Sequence, residues 1–109
     1  MRTVTLSGFL IARSLEEADR IAALLPAHAA STRAEPGCLS FEVWRSQADP
    51  VRFAVREVFA DRAAFDRHQE ALAASPWGRA TSGVPRDYRI TEGLAPAVLR
   101  GPVRPRERE

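Results

Sequence analysis

The side chain best suited to proton transfer in this sequence is His68, one of two histidines in the chain. It lies in the middle of the segment RAAFDRHQEALAAS, which the cap residue Asp61 predicts to be a helix. An imidazole with an ordinary pKa of about 6.5 can take a phenolic proton, or donate a hydrogen bond to a substrate oxygen, near neutral pH. The alternative is a structural histidine that is half-buried and hydrogen-bonds a neighbour.

Glu57 is the second candidate because it is a carboxylate on an apolar strand face. The alternation in VRFAVREVFA places it on the same face as Phe53, Val55 and Phe59. A buried carboxylate needs a partner. An arginine partner would make a structural ion pair, whereas a His68 partner would make Glu57 a group that orients or tunes a base. The sequence leaves both alternatives open.

Trp77 is the third residue that could serve a site. It follows the break at Ser75-Pro76, so its indole could close a pocket and stack on a flat aromatic ligand. A buried tryptophan is also an ordinary core residue. Tyr88, in the last predicted strand, could equally line a cavity or pack.

These residues are positioned by a predicted β-α-β-β-α-β order. The four strands are predicted at residues 3–12, 38–46, 51–60 and 86–93. The first helix begins after the Ser14 cap, and Pro26 is expected to kink or interrupt it before it resumes through residue 35. His28, beside that proline, is expected at the surface. A second helix follows Asp61, and a short third helix is expected from Pro76.

This element order predicts an α+β protein with the ferredoxin-like fold, in which helices cover one face of a four-stranded antiparallel sheet. The strand parities place apolar residues on the uncovered face as well, namely Leu6, Leu10, Trp44, Ala54 and Val58. Because such a face is too apolar for water, we expect two sheets to pack together in a homodimer. Glu42 and Trp44 are expected in that interface.

Composition limits the classes of partner. A chain of 109 residues is one domain, predicted to span residues 1–93, with a Pro/Arg-rich tail at 94–109 that is either disordered or a dimer arm. All 16 basic residues are arginine, and the excess positive charge lies in the tail, which predicts no nucleic-acid surface. No apolar run is long enough to span a membrane. A single cysteine and no signal peptide favour the cytoplasm.

Metal and covalent chemistry have no signature in the sequence. One cysteine and two histidines occur without CxxC, HxH or HxxxH spacing, so no metal site is predicted. The absence of lysine excludes a Schiff base.

The segment EPGCLSFEVWRSQADPVRFAVREVFADRAAFDRHQEALAASPWG resembles the antibiotic biosynthesis monooxygenase (ABM) domain family. The similarity covers roughly residues 1–93. It implies a ferredoxin-like domain that dimerises into an α+β barrel. Family members include oxygenases of anthrones and quinols that use no flavin or metal, haem-degrading proteins and isomerases. Trp77 stands where the family often has a second histidine, and the chain lacks the asparagine on which haem-degrading members rely.

The resemblance implies a homodimeric monooxygenase, free of cofactors, whose substrates are dioxygen and an electron-rich aromatic compound such as a hydroquinone or an anthrone-like polyketide. His68 would be the base and Glu57 would tune it. The residues expected to bind the substrate are Phe41, Phe53, Phe65, Trp77 and Tyr88. Two alternatives remain: an isomerase or cyclase of a small carbonyl compound, and a dimer that binds a small ligand without catalysis.

Overall fold

The computed structural model describes residues 2–93, which form a four-stranded antiparallel sheet with three helices. The elements in chain order are β1 (Thr3–Ile11), α1 (Leu15–Arg33), β2 (Cys38–Arg45), β3 (Arg52–Phe59), α2 (Arg62–Ala74), α3 (Pro76–Thr81) and β4 (Arg86–Gly93). The strands are arranged in the order β2-β3-β1-β4, and every neighbouring pair is antiparallel. This confirms the predicted α+β class and ferredoxin-like fold. The tail at 94–109 lies outside the described residues.

Side-chain caps begin the helices where the sequence predicts them. The Ser14 hydroxyl accepts a hydrogen bond from the Glu17 amide at 3.0 Å, which starts α1. A carboxylate oxygen of Asp61 accepts from the Ala64 amide at 2.8 Å, which starts α2. Each cap satisfies a backbone donor that the first helical turn would otherwise leave unpaired. The second of these caps fixes the position of His68 relative to the end of β3.

The expected interruption of α1 at Pro26 is wrong, because the helix continues from Leu15 to Arg33. Proline removes one backbone donor from a helix interior. The helix packs against β2 and α3, and residues on both sides of the proline, Ile21 and Ala29, are buried. Tertiary packing therefore holds together a helix that local propensity alone would break.

The core lies between the sheet and the helices, and it includes two residues that the sequence assigned to the other face. Leu6 pairs with Glu57 and Leu10 pairs with Phe53 across β1 and β3. Residues directly opposite each other in an antiparallel pair share a face. Leu6 and Leu10 are accordingly buried in the helix-side core, and their predicted place on the uncovered face is wrong.

The uncovered face of the sheet is partly apolar, as expected, but the apolar residue that β1 places there is Phe9 and not Leu6 or Leu10. Phe9 and Trp44 both pair with Ala54, so these three residues share that face. They border a shallow concavity of about 560 Å³. The Arg52 guanidinium lies 4.6 Å from the centre of the Phe9 ring.

Within residues 2–93, none of the helices combines the length and the apolar character that crossing a membrane requires.

Candidate active site

A cavity of about 330 Å³ lies between the helices and the β1–β4 side of the sheet. Its wall includes four of the residues predicted for the site, Glu57, Phe65, Trp77 and Tyr88. The remaining lining residues come from β1, α1, α2 and β4; they are Leu6, His28, Gln69, Leu72, Arg86 and Ile90. Because Arg86 and Ile90 are exposed on the edge strand, this is the side from which a ligand would enter.

Helix α2 and the break after it determine two walls of the cavity. Phe65, Gln69 and Leu72 recur at the helical spacing i, i+4 and i+7 and so present one face of α2 to the cavity. Ser75 is in an extended conformation and caps α3, its hydroxyl accepting from the Gly78 amide at 2.9 Å. The chain therefore turns sharply and brings the indole of Trp77 back over the cavity.

His68 lies behind the cavity wall rather than in it. Its side chain is only 2% exposed, and it packs against the Phe59 ring with the ring centres 4.9 Å apart. Its Nδ1 atom is 2.9 Å from a carboxylate oxygen of Glu35, and its Nε2 atom is 3.6 Å from a carboxylate oxygen of Glu57. The imidazole thus connects one carboxylate at the turn after α1 with another at the cavity wall.

Glu57 faces the cavity as a nearly buried carboxyl group. Burial raises its pKa to about 8, and the negative charge of Glu35 adds to the increase. Its Oε1 atom is buried without a hydrogen-bond partner among residues 2–93. Within that part of the chain its ion-pair partner is His68 and not an arginine. The structure therefore places this carboxyl group where it can meet both a ligand and an imidazole.

His28 is not at the surface, contrary to the expectation from the sequence. Its ring stacks on Trp77 with the ring centres 4.8 Å apart and the planes within 1° of parallel, and it meets the edge of Phe41 at 5.4 Å. Burial, and to a lesser extent the charge of the neighbouring His68, lower the pKa of His28 to about 4. His28 is therefore a neutral aromatic wall residue at pH 7, able to donate and accept hydrogen bonds.

A signal for His28 was present in the sequence. Ile21, Leu25, His28 and Thr32 follow the helical spacing i, i+4, i+7 and i+11, which places all four on one face of α1. An interruption at Pro26 would separate Ile21 and Leu25 from His28 and Thr32, so the pattern is apparent only when the helix is continuous.

Tyr88 completes the wall from β4. Its ring is partly buried, and burial raises the pKa of its phenol to about 12. The Arg86 guanidinium lies 5.6 Å from the ring centre and donates hydrogen bonds to the carbonyl oxygens of Val84 and Thr81. Tyr88 therefore remains a neutral hydrogen-bonding group, held beside a cation that is itself anchored to backbone.

Two of the predicted substrate-binding residues are placed away from the cavity wall. Phe41 is buried beneath His28. Phe53 is fully buried in the core opposite Leu10. The structure thus brings together Phe65, Trp77 and Tyr88 at the cavity wall, and leaves Phe41 and Phe53 in the core.

Other reactive groups are poorly suited to catalysis. No cluster of three histidine, cysteine or carboxylate side chains within residues 2–93 could hold a metal ion. Burial raises the pKa of the Cys38 thiol to about 11, with the charges of Glu35 and Glu57 adding to the effect. A neutral thiol is a weak nucleophile.

Comparison with known proteins places these features in a family. The sequence profile of the antibiotic biosynthesis monooxygenase family matches residues 14–76. A Deinococcus radiodurans structure, named as a candidate antibiotic biosynthesis monooxygenase, is 31% identical over 84% of this chain and 91% of its own, with a TM-score of 0.62. No match was found among proteins with curated descriptions.

Two further structures have the same fold. A protein of Pseudomonas aeruginosa is 25% identical over 89% of this chain and 97% of its own, with a TM-score of 0.66. A Nitrosomonas europaea protein, also named as a candidate monooxygenase of this type, is 22% identical over 87% of this chain and 92% of its own, with a TM-score of 0.69. At that identity the likeness shows the fold alone.

Proposed function

This chain belongs to the antibiotic biosynthesis monooxygenase family, and we propose that it is a monooxygenase acting on an electron-rich aromatic substrate, a hydroquinone or an anthrone-like polyketide. We propose further that it acts as a cytoplasmic homodimer and needs no cofactor. The observation that supports this function best is the Glu57 carboxyl group at the wall of an aromatic cavity, with His68 Nε2 3.6 Å behind it.

The proposed reaction requires a base and a dry pocket rather than a redox group in the protein. Loss of a hydroxyl proton gives a substrate anion that can pass an electron to dioxygen. The substrate radical and the superoxide formed in this way then combine in a carbon–oxygen bond. That carbon then loses its hydrogen as a proton, the O–O bond breaks, and the outer oxygen leaves as water. For a quinol the sum is quinol plus dioxygen giving hydroxyquinone plus water, in which both hydrogens of the water come from the substrate.

The cavity residues have separate roles in this proposal. The Glu57–His68 pair accepts the hydroxyl proton and later returns it to the departing oxygen. Trp77 and Phe65 hold the flat ring and exclude water, which keeps the substrate anion from being solvated. Tyr88, whose phenol is neutral, can donate a hydrogen bond to the oxygen that becomes negative.

Oxygen uptake by the purified full-length protein tests the proposal. The protein is treated with a chelator, assayed for bound metal and flavin, and offered hydroquinones, naphthohydroquinones and anthrones. Uptake should exceed the spontaneous rate, and Glu57→Gln should reduce it by about 100-fold or more, because general base catalysis is worth about that much. Glu70→Gln is the control and should leave the rate unchanged, because Glu70 is an exposed carboxylate on the same helix as His68.

Two results would contradict the proposal. Equal rates in the wild type and in Glu57→Gln would show that this cavity is not the site. Turnover of a carbonyl substrate without oxygen uptake would identify the isomerase alternative instead.

A further inference from the structure

His68 is enclosed by two carboxylates that differ in exposure. The Glu35 side chain is 26% exposed, whereas that of Glu57 is 11% exposed. Glu35 is held in place by backbone hydrogen bonds, since its amide donates to the Thr32 carbonyl at 3.0 Å and its carbonyl accepts from the Cys38 amide at 3.1 Å. The three side chains therefore form a line from the protein surface to the cavity.

The hydrogen bond to Glu35 determines which nitrogen of His68 carries a proton. An ionised carboxylate can only accept, so at 2.9 Å the Nδ1 atom must be the donor. A neutral imidazole then directs the lone pair of Nε2 toward Glu57. An ionised Glu57 would be repelled by that lone pair, so below the Glu57 pKa of about 8 the pair holds one proton, either on Glu57 or on Nε2.

The two positions of this proton give the three residues the same total charge. With the proton on Glu57, the set contains one carboxylate, a neutral imidazole and a carboxylic acid. With the proton on Nε2, it contains two carboxylates and an imidazolium. Moving the proton changes where the charge lies but not its sum. The second form presents an ionised carboxylate to the cavity without leaving an uncompensated charge behind it.

We infer that Glu35 is a positioning residue that holds His68 in the Nδ1–H tautomer and thereby makes Glu57, not His68, the group that exchanges a proton with the ligand. This inference rests on the proposed function for the identity of the reaction. The substrate proton moves to Glu57 while the imidazolium form of His68 balances it, and the same proton returns when water is formed. No net proton is released, in agreement with the balanced reaction.

Direct proton transfer from the ligand to His68 is disfavoured by the geometry. The ring is 2% exposed, and both of its nitrogens face carboxylates. His68 is also not among the residues that line the cavity.

The surrounding titratable groups do not compete with this set near neutral pH. His28 on α1 has a lowered pKa of about 4, while Cys38 on β2 and Tyr88 on β4 have raised pKa values of about 11 and 12. All three are uncharged at pH 7. Arg86 is the other charged group that lines the cavity.

The tautomer of His68 can be measured without any substrate. In the ¹⁵N NMR spectrum of full-length protein, with His28→Phe used to assign the two rings, wild-type Nδ1 should remain protonated from pH 6 to 9. At pH 9, where Glu57 is ionised and can only accept, Glu35→Ala should convert the neutral ring mainly to the Nε2–H tautomer, because Glu57 is then its remaining acceptor. Glu70→Gln should retain the wild-type tautomer.

Kinetics distinguish a positioning role from a purely structural one. Glu35→Ala should lower kcat for oxygen uptake by about tenfold or more, as part of the general-base contribution is lost. KM should change less than about twofold because Glu35 does not line the cavity. Glu35→Asp, which restores a carboxylate, should recover part of kcat.

The inference is overturned if wild-type Nδ1 is unprotonated, or if Glu35→Ala leaves the tautomer unchanged at pH 9. It is also overturned if the tautomer changes while kcat and its pH profile do not. Absence of oxygen uptake by the wild type would instead refute the proposed function, and the NMR result would then still decide the tautomer.

Discussion

At the scale of single residues, the carboxyl group of Glu57 determines how the molecule should respond to pH. Its folded pKa of about 8 exceeds the ordinary unfolded value of about 4.3. The folded protein therefore retains a proton that the unfolded chain loses between these values. The associated stability is fully present below pH 4.3, decreases as the pH rises and is lost at pH values above 8.

Glu57→Gln should remove this dependence because an amide of the same shape stays neutral at every pH. At pH 9 the variant should melt at least about 4 °C above the wild type, which corresponds to about 1 kcal/mol for a domain of this size. At pH 5 the two should differ little, since Glu57 is then protonated. Thermal unfolding followed by circular dichroism measures both values.

Glu70→Gln is the matched control, because Glu70 is exposed and its removal should give no difference between pH 5 and pH 9. If Glu57→Gln gained no more than this control at pH 9, the carboxyl group would not be a buried charge at that pH.

Glu57 and Glu35 also show how far the sequence could predict the site. Glu57 was predictable because it interrupts an apolar alternation on β3, and that face became the core. Glu35 was not predictable from the sequence. It lies in the turn after α1, where a carboxylate ordinarily faces water, and it is 33 positions from His68 in the chain. Local pattern identifies which face of an element is buried, but it does not show which turn lies against that face.

At the scale of secondary structure elements, β1 illustrates a second limit. After Gly8 its residues Phe9, Leu10 and Ile11 are apolar on both faces, so alternation cannot decide which face meets the helices. The pairing of Leu10 with Phe53 decides it. The order of elements and the caps were predictable because each is determined by signals within a few residues.

The β1–β4 pairing positions the cavity wall, and Gly8 makes that pairing possible. Gly8 pairs with Tyr88 and has a φ of 144°, which L side chains rarely adopt. A Cβ atom there would overlap the carbonyl oxygen of Asp87. Gly8→Ala should therefore lower the free energy of unfolding by about 2 kcal/mol or more and displace Tyr88 from the cavity.

Urea denaturation of Gly8→Ala and Gly93→Ala measures this effect. Gly93 ends β4, the strand that pairs with Gly8, but an added Cβ atom there meets nothing within 4 Å. This change should therefore alter stability by less than about 0.5 kcal/mol. Similar stabilities for the two variants would show that β4 can shift to accommodate the methyl group.

At the scale of the whole molecule, the helices cover one face of the sheet and leave the other uncovered. That second face carries Phe9, Trp44 and Ala54 beside a concavity of about 560 Å³. Apolar side chains that face water cost free energy, and pairing with an identical face removes them from water on both copies at once. The homodimer predicted from the sequence therefore remains our expectation, with this face as its interface.

Trp44→Arg should convert a dimer to a monomer, because it places a charge on each side of the interface and removes the largest apolar side chain of that face. Leu15→Arg is the control: Leu15 is 57% exposed, but it belongs to α1 in the helix layer. Sedimentation velocity across a range of protein concentrations gives the mass of each form.

A wild-type monomer at every concentration would refute the interface, and so would a Trp44→Arg variant that remains dimeric. Loss of the dimer in Leu15→Arg alone would move the interface to the helix layer.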